Sequence, residues 1–210
     1  MTPIVALPTQ LKVEIFTNRL PAKVSISGFS QIVANERNVW VLGTVRNSAG
    51  FNAPNVNAAE ERERIESQLW RGQADGLGWS QWKGGPPGGR ITKIGYDGHS
   101  LWLAGSFVGR INASTGDFER FGGSDGLSIA SASGLAIGGG HVVVSGERQR
   151  ILSWTEGRHT WEPILMPDPA VTEWEAQIAV AGDWLLSASL GHWLNHLGTA
   201  HWTYVGRDLD

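Results

Sequence analysis

"ITKIGYDGHSLWLAGSFVGRINASTGDFERF", residues 91–121, alternates apolar and polar side chains three times over and breaks at "DG", "SFVGR" and "STGD". Alternation with period two gives each strand two distinct faces, and the small polar breaks carry turn chemistry. The stretch reads as a meander of short strands. Its tetrad "WLAG" (Trp102 to Gly105) has counterparts in "WVLG" (Trp40 to Gly43), "VVSG" (Val143 to Gly146) and "LLSA" (Leu185 to Ala188). The last two steps are about forty residues long and agree, while the first is about twenty longer. The surplus is the segment 47–68, "NSAGFNAPNVNAAEERERIESQ", which resembles nothing in the other copies.

Further correspondences surround each tetrad. An aliphatic residue stands eight positions before the first three (Ile32, Ile94, Leu135), and Ile178 stands seven before the fourth. Downstream, "QLWRGQADGLGWSQW", "GRINASTGDFERF", "RILSWTEGRHTWEPI" and "HWLNHLGTAHWTYV" each hold a turn followed by an aromatic residue. The unit is therefore four strands, a to d. A four-stranded sheet of this size has two apolar faces that it cannot bury alone, so copies stack around an axis. The expected fold is an all-β propeller with units at 28–83, 84–121, 122–165 and 166–210. Residues 1–27 supply three further extended pieces, either a partial fifth blade or a docking arm. Five blades are favoured because a closed ring leaves no open edge; a β-sandwich is the alternative fold.

The phrase formed by Ile94, Asp97-Gly98, Leu101-Trp102, Gly105-Ser106, Gly109-Arg110-Ile111, "TGDFERF" and "DGLS" resembles the blade repeat of two-component regulator propellers. The full phrase is confined to residues 94–128; the other copies have "ERN", "GGG" and "GD" where Asp-Gly is expected. The resemblance implies the propeller fold. The membrane span and kinase that accompany such propellers have no counterpart here, so a sensor-kinase role does not transfer.

Composition narrows the function. The 210 residues include 28 Gly and 11 Trp but no Cys, which excludes disulfides and thiolate metal sites. A net charge of −3 supplies no general attraction to nucleic acid or anionic lipid. "MTPIVALPTQLKVEIF" lacks a basic leader and a long apolar run, so the expectation is a cytoplasmic or virion protein, without export signal or membrane span. No nucleophile elbow, zinc-protease, P-loop or dinucleotide fingerprint occurs, and no cofactor or metal is expected.

The d-to-a and b-to-c connections are long, and long loops on a rigid scaffold carry binding. On that face Arg46, Arg110, Arg148, Arg150 and His192 follow strand b in successive copies and define a basic ring suited to an acidic ligand. The alternative is that they are solvated turn residues. Trp174 in a d-to-a connection offers a stacking platform, Asn52, Asn55 and Asn57 offer amide contacts, and Asp125 lies in the preceding loop. The expected function is a non-catalytic module binding a glycan or protein. Alternatives are a structural or receptor-binding subunit of a larger assembly such as a virion, self-associating through 1–27, and a glycan hydrolase using Glu173, Glu175 or Asp125.

Overall fold

The computed structural model describes residues 28–46, 65–74, 78–84, 89–147, 150–165, 177–188 and 192–206. The strands form four antiparallel sheets, each a consecutive meander. Blade 1 holds β1 (Gly28–Ala34), β2 (Asn38–Arg46), β3 (Ile65–Gln73) and β4 (Ser80–Trp82). Blade 2 holds β5 (Ile91–Tyr96), β6 (Ser100–Gly105), β7 (Val108–Asn112) and β8 (Phe118–Phe121). Blade 3 holds β9 (Ala132–Gly138), β10 (His141–Gly146), β11 (Ile151–Thr155) and β12 (Thr160–Ile164). Blade 4 holds β13 (Gln177–Ala181), β14 (Trp184–Ala188), β15 (His192–His196) and β16 (Trp202–Gly206). The first strands adjoin one another, β1 with β5, β5 with β9 and β9 with β13, as expected where strands a line an axis. The four sheets are arranged like propeller blades. Among the described residues no helix is long and apolar enough to cross a membrane.

The repeat is visible in details that sequence similarity does not carry. A bulge interrupts the pairing of the first two strands at the same point in blades 1, 2 and 3. The bulged residues Thr92 and Ser133 each turn a hydroxyl to the carbonyl across the pair, Ala104 and Ser145 respectively. In the first hairpin of blade 2, Asp97 Oδ1 accepts from the amides of His99 and Ser100 at 2.8 and 2.7 Å. Its Oδ2 accepts from the Trp102 indole at 2.6 Å. Asn35 makes the same turn in blade 1, accepting from the amides of Arg37 and Asn38. The copy reading "NERN" thus keeps the turn chemistry of Asp-Gly without its letters.

Two expectations are corrected. The segment 47–68 does not lie wholly outside the blade, because β3 starts at Ile65 and pairs with β2 from Arg46 inward. The fourth tetrad is also displaced by one residue. The strand-a aliphatics Ile32, Ile94 and Leu135 pair with Val41, Leu103 and Val144, the second residues of their tetrads. Ile178 pairs with Ser187, so Leu186, not Leu185, corresponds to Trp102. A one-residue shift moves every side chain to the opposite face. Leu185 accordingly packs with Val143, Ile151 and Leu197 against blade 3, and Leu186 points away from it.

Each interface joins the forward face of one blade to the rear face of the next. Trp40, Leu42 and Leu69 of blade 1 meet Leu101, Leu103 and Ile111 of blade 2. Trp102 and Phe121 of blade 2 meet Val142, Val144, Leu152, Trp154 and Trp161 of blade 3. Fully burying an aliphatic or aromatic side chain of this size contributes about 1.5–3 kcal/mol, so these wedges hold the array together. The hairpins of blades 3 and 4 also approach closely. Gly139, at φ +56°, has its α-carbon against the Gly182 carbonyl, where a Cβ would collide.

Candidate functional site

Superimposing the pairing registers shows why one interface is filled and the next is hollow. Between blades 2 and 3 the rings of Trp102, Phe121, Trp154 and Trp161 interlock, with centroids 4.6–5.9 Å apart. Arg110, opposite Trp102 on β7, lies over Trp102, Phe121 and Trp154 at 5.5, 5.7 and 5.4 Å. Its guanidinium donates to Glu119 at 2.7 Å and to Glu156 at 2.6 Å. His159 approaches the other Glu119 oxygen at 2.8 Å.

Between blades 3 and 4 the same positions carry smaller groups. Val143 stands for Trp102, Ser153 for Arg110, Glu162 for Glu119 and Ile164 for Phe121. From blade 4, Asn195 stands for Trp154 and Leu197 for Glu156. The lost volume is a cleft of about 490 Å³, lined by Ser153, Glu162, Ile164, Asn195, Leu197 and Thr199 among others. It reaches Glu156 on one side and His141 on the other, so it lies at the end of the blades carrying the a-to-b and c-to-d turns. His141 Nε2 lies 3.4 Å from Asp183 Oδ1 across the two hairpins.

The cleft is polar where the neighbouring interface is aromatic. Asn195 is 0% exposed. Its Nδ2 donates to the carbonyls of Thr199 and His201 at 3.2 and 2.8 Å, which fixes the amide orientation. The Oδ1 has no protein partner. A buried acceptor left open costs about 1–3 kcal/mol. Two carboxylates border the space. Glu162 accepts from Arg158 Nη1 at 2.6 Å on the solvent side. Glu156 accepts from Arg110 and, at 2.5 Å, from the Trp154 indole. The hydrogen bond from Arg110 outweighs the opposing effect of burial and holds the Glu156 carboxyl below the usual glutamate range. Burial acts to lower the Arg110 pKa, but its bonds to Glu156 and Glu119 prevail and raise it. Among the described residues no three histidine or acidic side chains converge on a possible metal.

The residues proposed from sequence are scattered. Arg46 ends β2 and Arg150 immediately precedes β11, both at the b-to-c end. Arg150 is exposed and donates to the Ser128 carbonyl at 2.5 Å. His192 opens β15 at the same end. Arg110 departs from the expected ring: it lies inside strand c, paired with two carboxylates and stacked on three rings, because the blade 2–3 wedge has room for a guanidinium. Asp125 ends a short 3-10 turn, Gly123–Asp125, where its carboxylate accepts from the Gly122 amide at 2.8 Å. Arg148, Trp174, Asn52, Asn55, Asn57, Glu173 and Glu175 lie outside the described residues. Ser153, Glu162 and Asn195 escaped the sequence reading. Their one signal was Asn195, an amide at a strand position whose counterparts are Ile111 and Trp154.

No protein-family model matches the chain, and no curated protein sequence does. Among solved structures, a puromycin-hydrolyzing peptidase of Mycobacterium tuberculosis aligns with a TM-score of 0.61 at 11% identity, over 89% of this chain and 30% of that one. PorZ, described as an essential surface component of the type-IX secretion system of Porphyromonas gingivalis, aligns at 0.47 and 15% identity, over 86% and 26%. The chain spans less than a third of either protein's length, and the likeness to the first is one of fold.

Proposed function

We propose that the chain is a non-catalytic binding module that holds a protein or glycan partner in the cleft between blades 3 and 4. The observation that carries this is the space of about 490 Å³ between the two blades, lined by the polar residues Ser153, Glu162 and Asn195 and large enough for a side chain or a sugar. The state of Glu156 supports binding over acid catalysis. A carboxyl that protonates a leaving group has its pKa raised, whereas Glu156 is shifted down by Arg110 and remains an acceptor. The purified chain is to be screened against glycan and peptide arrays beside Ser153→Phe, which fills the cleft. Ligands lost in the variant support the reading; ligands retained, or turned over in mass spectra, overturn it.

A second reading, as a subunit of a larger assembly, is favoured by the forward face of blade 4. Leu186 occupies the position of Trp102, yet it is 36% exposed, and Trp184 and Val205 of the same sheet are 49% and 51% exposed. The matching surface is the rear face of blade 1 in a second copy, where Ile32 is 65% exposed. Such a head-to-tail contact would reuse the geometry of the three interfaces within the chain. Native mass measurement tests it: a stable multimer lost on Leu186→Asp is expected, and a strict monomer at high concentration would refute it.

A further inference from the structure

We infer that the cleft between blades 3 and 4 receives a guanidinium group, an arginine side chain of a protein partner, in the slot that Arg110 fills between blades 2 and 3. This rests on the reading of the cleft as a binding site and adds the chemistry of what binds there.

The fold supplies its own reference complex. On the forward face of blade 2, Arg110 is held by Glu119 from the adjacent strand and by Glu156 from the next blade. One blade further on, Glu162 keeps the place of Glu119, opposite Ser153, which keeps the place of Arg110. The carboxylate has been retained and the cation withdrawn. Three further features suit a planar cation with several donors. Asn195 lines the blade 4 wall, and its buried Oδ1 lacks a protein partner. Glu156 borders the same cleft. Ser153 and Thr199 supply hydroxyls that can accept as well as donate. A guanidinium has five donors in a rigid fork and no acceptor, matching acceptors spread over two walls better than a point charge would.

The charged neighbours do not oppose this. Arg158 holds Glu162 from the solvent side, but its side chain is 73% exposed and a surface pair of this kind is readily exchanged. Arg110 lies on the far side of Glu156, already committed to two carboxylates. At the rim, His141 is paired with Asp183, which adds an acidic group of its own.

The test uses acetyl-arginine methylamide and its neutral isostere, acetyl-citrulline methylamide, titrated into the whole chain by calorimetry and by amide chemical-shift mapping. Expected is saturable binding of the arginine derivative with shifts at Ser153, Glu162 and Asn195, and binding of the citrulline derivative weaker by about tenfold, as loss of a charge-assisted pair implies. Ser153→Arg places the repeat's own cation in the slot and is expected to abolish binding. Glu162→Gln, a change at a half-exposed position that leaves folding intact, is expected to weaken it about tenfold. Equal binding of the two derivatives, or wild-type affinity in Glu162→Gln, overturns the inference. So does failure of the arginine derivative to bind at millimolar concentration. If array ligands still depend on an open cleft in that case, the binding-module reading stands and only the cation is wrong.

Discussion

Replacing Arg110 by Met removes a charge while keeping an unbranched stem among the same rings, so the substitution isolates the electrostatic part of the blade 2–3 interface. The guanidinium stacks on three rings, a contact that contributes about 1–2 kcal/mol in a partly desolvated site. Its two carboxylate partners are 37% and 67% exposed and regain water when released, so each ion pair contributes about 0.5–1 kcal/mol rather than the value of a buried pair. The total is about 2–4 kcal/mol, or a fall in Tm of roughly 4–16 °C for a chain of this size. The pH profile carries a second signature. Glu156 is held below its ordinary value of 4.5 in the folded chain, so its contribution is complete above that value and is lost as pH falls through the lowered folded value. Urea denaturation of wild type and Arg110→Met between pH 3 and 7 should converge toward the acid end, the difference being largest near neutrality. A loss under about 0.5 kcal/mol at pH 7, or a difference that does not change with pH, would refute the assignment of Arg110 as the polar tie between these blades.

Other consequences follow from the register and the hairpins. Leu185→Ala should cost about 3 kcal/mol and Leu186→Ala under about 1 kcal/mol, measured by urea midpoint; the reverse order would restore the register expected from the sequence. Asp97→Ala removes a turn cap and the acceptor for the Trp102 indole, and should cost about 2 kcal/mol, with Asp97→Asn intermediate. Asn195→Leu should alter stability by less than Trp161→Ala, which empties the aromatic wedge at about 3–5 kcal/mol. Asn195→Leu should also lose every ligand that depends on the cleft.

Much of the architecture is readable from residues because its physical causes are local. Period-two alternation, Gly- and Asp-bearing turns and the recurrence of an aliphatic residue before each tetrad are properties of single strands and hairpins. They identify blades even where the letters diverge, as Asn35 shows by doing the work of Asp97. The seven-residue spacing of Ile178 also carried a warning, since three copies have eight; only the pairing of Ile178 with Ser187 explains it. The cleft was not readable in the same way. It arises from the difference between two interfaces, Trp102, Arg110 and Phe121 against Val143, Ser153 and Ile164, and each of those residues is unremarkable in its own strand. Loop length directed attention to the opposite end of the blades, where Arg46, Arg150 and His192 stand, whereas the hollow lies at the short turns.

The account depends on forward and rear faces being equivalent from blade to blade, and nuclear Overhauser contacts in a chain with labelled Leu and Val methyl groups and labelled aromatic rings test this most directly. Contacts are predicted between Trp82 and Phe118, between Phe121 and Trp154, and between Leu185 and Val143, the first two pairs having ring centroids 5.2 and 4.6 Å apart. Leu186 is predicted to show none to Val143. Contacts from Leu186 to Val143 in place of those from Leu185, or Phe121 and Trp154 too far apart to communicate, would contradict the stacking on which the cleft and its proposed ligand rest.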